Sequence, residues 1–466
     1  MTNTPTDSAS TTVSMRTEKD SLGPVSIPSD ALWGAQTQRA VENFRIDRPL
    51  PNSFIRAIAQ IKATAARTNA ELALLPSDKA AAIQVAAAAI ASGDYADQFP
   101  VDVYQTGSGT SSNMNVNEVI AHLCEQAGVA VHPNDDVNLG QSSNDTIPTA
   151  IHLSAVQQLH GTLLPSIRHL RQTIKTRSEE LADIVKPGRT HLMDAMPVTF
   201  GQVLNGWDVQ LEHAEEKLRG AGHALLRIPQ GGTAVGTGVN CHPEFSKRFC
   251  LSLSESSGHH FQPLDSFFAG QGAIDRPLAL SAALRGYAIT LSKISSDLRW
   301  MSSGPLHGLA EIQLEALQPG SSIMPGKVNP VVCESTLMVC AQIQGLDLAI
   351  SLAAQQGNFE LNVMLPMVAN NLLDMVRLLS HSNCFLADKA IATFTVNKEH
   401  LAHLLDKNPI LVTALNAAIG YNKAAEIAKA AYASGRPIID VATDMTDLTR
   451  EQLTKLLDPL TLTRGG

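Results

Sequence analysis

The run Gly320-Ser321-Ser322-Ile323-Met324-Pro325-Gly326-Lys327-Val328-Asn329-Pro330 gathers two hydroxyls, one ammonium and one amide inside a turn-forming frame. Gly320 and the serines give a pliable backbone with free hydroxyls, and Pro325-Gly326 dictates a turn. Asn329-Pro330 has the form of a helix start, with Asn as cap and Pro at the first helical position, where its missing N–H costs nothing. The following stretch, Val331 to about Gln356, is apolar nearly all round, the pattern of a buried helix. Such a loop is a movable lip anchored to core, and it can stabilise negative charge as a reaction develops it.

Three further stretches carry chemistry-bearing residues. In Gln105-Thr106-Gly107-Ser108-Gly109-Thr110-Ser111-Ser112-Asn113-Met114-Asn115, small residues and hydroxyls precede a helical pattern from Asn115 to Glu125, so N–H and O–H groups can converge on an anion. The third glycine of a dinucleotide fingerprint is absent, and a plain Gly/Ser loop is the alternative. His132-Pro133-Asn134-Asp135-Asp136 reads as an Asx turn. It stands before Gln141-Ser142-Ser143-Asn144-Asp145, and no second histidine or carboxylate cluster stands nearby to complete a metal site. His191 lies in Gly188-Arg189-Thr190-His191-Leu192-Met193-Asp194-Ala195, a polar break between two long helical patterns. A lone histidine is more often structural, but function is commonly grafted onto such breaks. The glycine-rich Gly231 to Gly238 lacks a phosphate-loop ending and reads as close backbone packing.

The 320–330 run resembles the signature loop of the fumarase/aspartase superfamily, in the Pro-Gly-Lys form of class II fumarases. Aspartases usually have Ala where Gly326 stands. The 105–115 run resembles the first conserved region of that superfamily, and 188–195 the second, where His in place of Gln separates fumarases from aspartases. The likeness extends from about Glu18 to Tyr432. It implies Ser321 and His191 as catalytic residues, with Glu334 supporting His191. Ser108, Gly109, Thr110, Ser142, Ser143, Asn144, Thr190, Lys327 and Asn329 are implied as substrate binders. It also implies an accessory carboxylate site at His132, Asn134 and Asp135. The chain departs from the family there: Gly128-Val129-Ala130-Val131 holds no basic residue, and Leu139-Gly140 stands where Lys-Ser is usual.

Long helical patterns must position these groups. They run over Pro148 to about Ile184 with a kink at Pro165, then Pro197–Leu226, Pro277–Trp300, Val331–Gln356 and Asn362 to about Thr393. Shorter helices are expected from a Ser53 cap and over Ser77–Ser92, stopped by Gly93. The fold class is therefore all-α dominated, built on a bundle. The superfamily likeness makes it a three-domain fold whose central bundle pairs in a homotetramer, each active site drawing on three subunits. The expected divisions are a disordered tail 1–17, an N-terminal domain 18–147, a central domain 148–396 and a small C-terminal domain 397–466.

The chain has 466 residues, 44% hydrophobic and 17% charged, with a net charge of −9. That balance gives no electrostatic reason to bind nucleic acid or anionic membrane, and a dianionic substrate would need cations concentrated locally. The longest Ala-rich run, Ala80 to Ala91, is too short to span a bilayer. The six cysteines show neither CxxC nor zinc spacing and read as reduced thiols in a cytoplasmic protein. No metal or organic cofactor is expected.

The chemistry to expect is abstraction of a weakly acidic C–H beside a carboxylate. Lys327 and Asn329 would hold the aci-carboxylate, and His191 would protonate departing hydroxide. Ser321 is a poor base unless backbone N–H groups of its loop stabilise the alkoxide. The resemblance implies reversible hydration of fumarate to (S)-malate, a small dicarboxylate. Ammonia elimination from aspartate, a superfamily lyase acting on argininosuccinate or adenylosuccinate, and a non-catalytic tetrameric scaffold are the alternatives.

Overall fold

The computed structural model describes residues 14–464; the expected tail 1–17 lies outside them through Val13, while its last residues Met15 to Thr17 stand in a strand paired with Ser26 to Pro28. In chain order the main elements are β1 (Met15–Asp20), β2 (Gly23–Pro28), α1 (Ala35–Asn43), α2 (Asn52–Glu71), α3 (Ser77–Ser92), α4 (Thr110–Gln126), α5 (Ser143–Gln158) and α6 (Leu164–Glu180). Then come β3 (Val185–Thr190), β4 (Met193–Thr199), α7 (Phe200–Ala224), α8 (Phe245–Ser257), α9 (Phe267–Gly272), α10 (Asp275–Met301), α11 (Val331–Ala354) and α12 (Leu365–Leu386). Among the described residues every sheet has two strands, so helices carry the architecture.

Contacts divide the chain into two units, one of residues 1–162, 218–284 and 343–377, the other of 163–217, 285–342 and 378–466. In the first, α2 is buried on several sides through Phe54, Ile55, Ile58 and Ile61. The buried Glu118 of α4 accepts hydrogen bonds from Gly34 N, Gln36 N and Thr37 N and so caps α1 from outside. In the second, β3 and β4 form an antiparallel hairpin with a register shift at Pro187/Gly188. A separate apolar cluster, with Leu411, Leu415, Ile427, Val441 and Leu453 among its members, organises the C-terminal segment.

Several local expectations are corrected. Ser53 does not cap α2, whose N-cap is Pro51. The helix expected from Pro148 begins at Ser143, and the break falls before Pro165 as a π-helical turn over Leu159–Leu163. Pro165 has no N–H to donate and its ring crowds the preceding turn, so the helix widens ahead of it. The polar break at 188–195 is a β-hairpin. Asn329 does not cap α11; its Nδ2 donates to Gly320 O at 2.6 Å. α11 itself buries only one stripe in the single chain: Cys333, Thr336, Cys340, Ile343 and Ile350 are covered, while Met338, Leu348 and Leu352 are 68, 60 and 53% exposed. By length and composition α11 would also suffice to cross a membrane.

Candidate active site

The residues expected to bind substrate carboxylate meet in the first unit. Gly109, with φ +74°, turns the chain into α4, and a Cβ there would lie 2.9 Å from Ile147 of α5, so only glycine permits this approach. The approach sets Ser108 Oγ 2.8 Å from Thr110 Oγ1 and Thr110 Oγ1 2.6 Å from Ser143 Oγ. Ser142 caps α5, its Oγ accepting from Asn144 N at 3.2 Å. Asn144 Nδ2 in turn donates to Ala234 O at 2.8 Å. Ser108, Thr110, Ser142, Ser143 and Asn144 thus form one polar cluster at two helix N-termini, a cradle for negative charge.

A residue that the sequence reading passed over holds this cradle. Asp145 is fully buried; its Oδ1 accepts from Ser142 N, and its Oδ2 from Gly231 N and Thr233 N, at 3.0, 3.0 and 2.9 Å. Burial pushes its carboxyl upward in pKa, against the pull of the three N–H groups and of Lys62. The glycine-rich loop packs closely, as its composition suggests: a Cβ on Gly232 would meet Gln271 Oε1 at 2.6 Å. Asp145 also ties that loop to the cradle. The Ser-x-x-Asp spacing of Ser142 and Asp145 was the signal for this.

In the second unit, Thr190 ends β3 and His191 and Leu192 form the two-residue turn into β4, with φ of +56° and +60°. That is the twist a tight hairpin requires, here made without glycine. His191 and Leu192 border a cavity of about 560 Å³ whose walls include Lys186, Arg189, Lys293 and Trp300. The hairpin base is pinned by the fully buried Glu311, which accepts from Arg189 Nη1 at 2.6 Å and lies 3.1 Å from Lys186 Nζ. Burial lowers the pKa of Lys186, while Glu311 opposes the shift. None of these three was singled out from sequence.

The 320–330 loop is irregular and largely exposed, with Lys327 in the open. Ser321 Oγ accepts backbone N–H groups from Ile323 and Met324, at 3.3 and 3.1 Å. The loop closes on itself at Gly320, where a Cβ would fall 2.0 Å from Lys327 O. Glu334 sits in the first turn of α11 and is half-buried. Among the described residues no hydrogen bond joins His191 to Ser321 or Glu334.

Of the expected accessory residues, His132 and Asn134 line a second cavity in the first unit, also about 560 Å³, and Asp135 does not. His132 Nδ1 is taken up by Asn134 N and Asp135 N, at 3.3 and 3.1 Å. Glu18, Asp20, Glu118 and Glu125 share the walls with Lys19 and His122, so carboxylates outnumber basic groups there. A carboxylate entering there meets like charge.

The sequence matches the model of the lyase family over residues 23–345 and that of the fumarase C C-terminus over 411–464. It is 55% identical to fumarate hydratase class II 2 of Pseudomonas aeruginosa, over 97% of this chain and 99% of the relative. It is 47% identical to fumarate hydratase class II of Mycobacterium tuberculosis, over 97% and 96%. The crystal structure of class II fumarase from Schistosoma mansoni superposes with a TM-score of 0.94 at 37% identity, covering 97% of this chain and 99% of that one. With the cradle, hairpin and loop in place on that fold, the chain belongs to the lyase family, within its class II fumarate hydratases.

Proposed function

We propose that this chain interconverts fumarate and (S)-malate by the following division of labour. The cradle of Ser108, Thr110, Ser142, Ser143 and Asn144 binds one carboxylate. Ser321 takes a proton from the methylene carbon of malate, and the electron pair left behind delocalises into the adjacent carboxylate. Lys327 supplies the point charge opposite that aci-carboxylate. Asn329 uses one amide N–H to tie the loop at Gly320 and has a second to offer. Collapse of the aci-carboxylate expels the hydroxyl of the neighbouring carbon, which His191 protonates to water, with Thr190 beside it and Glu334 as its partner. Fumarate remains, and the reverse sequence hydrates it.

The observation that carries this reading is the pair of backbone N–H groups directed at Ser321 Oγ. A serine hydroxyl is too weak a base unaided. Two N–H donors stabilise the alkoxide in a way they cannot stabilise the neutral hydroxyl, and the gain grows once loop closure excludes water.

The proposal extends to an N-terminal domain 18–147, a central domain 148–396 and a C-terminal domain 397–466, with four copies sharing their active sites. Two features support sharing: among the described residues no hydrogen bond joins His191 to Glu334, and α11 exposes Met338, Leu348 and Leu352, which another copy would cover. All six cysteines are free, which suits the reducing cytoplasm we assign to it. We do not extend carboxylate binding to the accessory cavity, given its acidic walls.

The decisive experiment follows the ultraviolet absorbance of the conjugated product. Purified protein receives (S)-malate in one cell and aspartate in another. A rise with malate alone is expected. A rise with aspartate alone overturns the reading, and His191 then serves ammonia release.

A further inference from the structure

Beneath the cradle lies a lysine that none of the chemistry above uses. Lys62 of α2 is fully buried. Its Nζ donates to Asn138 Oδ1 at 2.8 Å and to Gln141 Oε1 at 3.0 Å. Both acceptors lie in the short segment that runs into Ser142. Asn138 Oδ1 also receives Asn113 Nδ2 and Asn117 Nδ2 of α4, at 3.1 and 3.2 Å. Asn138 Nδ2 donates to Gln141 O, Gln141 Nε2 to Val137 O, and Asn69 Nδ2 of α2 to Leu139 O. The segment 138–141 is thereby bound to α2 and α4 through side chains rather than through a regular ladder.

We infer that Lys62 is a positioning residue for the substrate-binding segment Ser142-Ser143-Asn144, holding Asn138 and Gln141 so that the hydroxyl cradle keeps its shape. This rests on the hydration reading above. Asp145 fixes the segment from its far end through Ser142 N, Gly231 N and Thr233 N. Lys62 fixes it from its near end. Dry burial of an amine is unfavourable, and it depresses the Lys62 pKa to about 7. An apolar residue would fill the same space without that cost, but it would leave Asn138 and Gln141 without their common donor. Two N–H groups suffice for the two acceptors, so the clamp works with the amine charged or neutral.

The test uses Lys62→Met in the full-length protein. The expected result is a KM for malate raised about ten- to a hundredfold, with kcat changed far less, because the cradle binds ground and transition states alike. Amide hydrogen exchange should quicken in 138–145 and stay unchanged in 320–329. A lowered unfolding temperature with KM and exchange in 138–145 unaltered overturns the inference and leaves Lys62 a packing residue. Gln141→Leu removes one acceptor without touching α2 and should give the same KM rise; combined with Lys62→Met it should add little. It carries the test if Lys62→Met does not fold. Should the wild type not convert malate, the hydration reading fails, and exchange in 138–145 still decides the role of Lys62.

Discussion

His191 and Leu192 occupy the two central positions of one hairpin turn, both in the left-handed region of backbone space. The tip that presents the imidazole is therefore a conformation that histidine tolerates and leucine resists. Turn and chemistry can be separated by substitution. Asn adopts the left-handed region readily but has no titratable ring. His191→Asn should keep the unfolding temperature while lowering kcat on the order of a hundredfold or more. If kcat stays near the wild-type value, the imidazole is not the group that protonates hydroxide.

Ser321 offers the corresponding test on the loop. Ser321→Ala deletes the acceptor of two exposed backbone N–H groups, which water can satisfy, so the fold should be unaffected. Loss of the base should lower kcat by a factor of about a hundred to ten thousand with little change in KM. Near-normal turnover in this variant assigns the carbon proton to another group.

Much of this arrangement was legible before any coordinates, for physical reasons that differ from place to place. Gly93 announces a helix end because few other residues accept its backbone geometry, whereas α4 starts at Thr110, ahead of the expected Asn115. The long apolar periodicities mark α7, α10 and α12 because burial demands them. The hairpin at 185–199 was not legible: β3 contains Pro187 and Gly188, and its turn contains neither glycine nor asparagine, so local chemistry argued against a strand pair. Asn329-Pro330 looked like a cap, yet the loop needed that amide at Gly320, and tertiary closure outweighed local preference. Glu311, Lys186 and Arg189 meet across more than a hundred residues, a pairing no local pattern encodes. α11 reads as core by composition but buries only a stripe in one chain, because composition does not say which of its apolar faces the rest of the chain covers.

Asp145 shows how a buried support can be told from a direct participant. Asp145→Asn keeps size and one acceptor but turns an NH2 toward backbone donors, so either Ser142 N or the pair Gly231 N and Thr233 N loses its partner. The expected outcome is a KM for malate raised about tenfold or more, with an unfolding temperature lower by several degrees. Unchanged KM would mean that the cradle is held without this carboxylate.

Lys62 yields a prediction about stability whose sign follows from its burial. Its amine loses the proton near pH 7 in the folded chain, against 10.5 for an ordinary lysine, with Asp145 as the charge that opposes the shift. Between those values the unfolded chain binds a proton that the folded chain lacks, so raising the pH favours the folded state. Below about 7 both states are protonated and the contribution is flat. Wild type should therefore gain on Lys62→Met by up to about 1.4 kcal/mol for each pH unit within that window, as one shifted proton allows. Denaturant unfolding of both proteins at the two ends of the window, at one fixed protein concentration, measures the gap. A gap that stays constant would mean that Lys62 keeps its proton throughout, its charge satisfied by Asn138, Gln141 and Asp145 together.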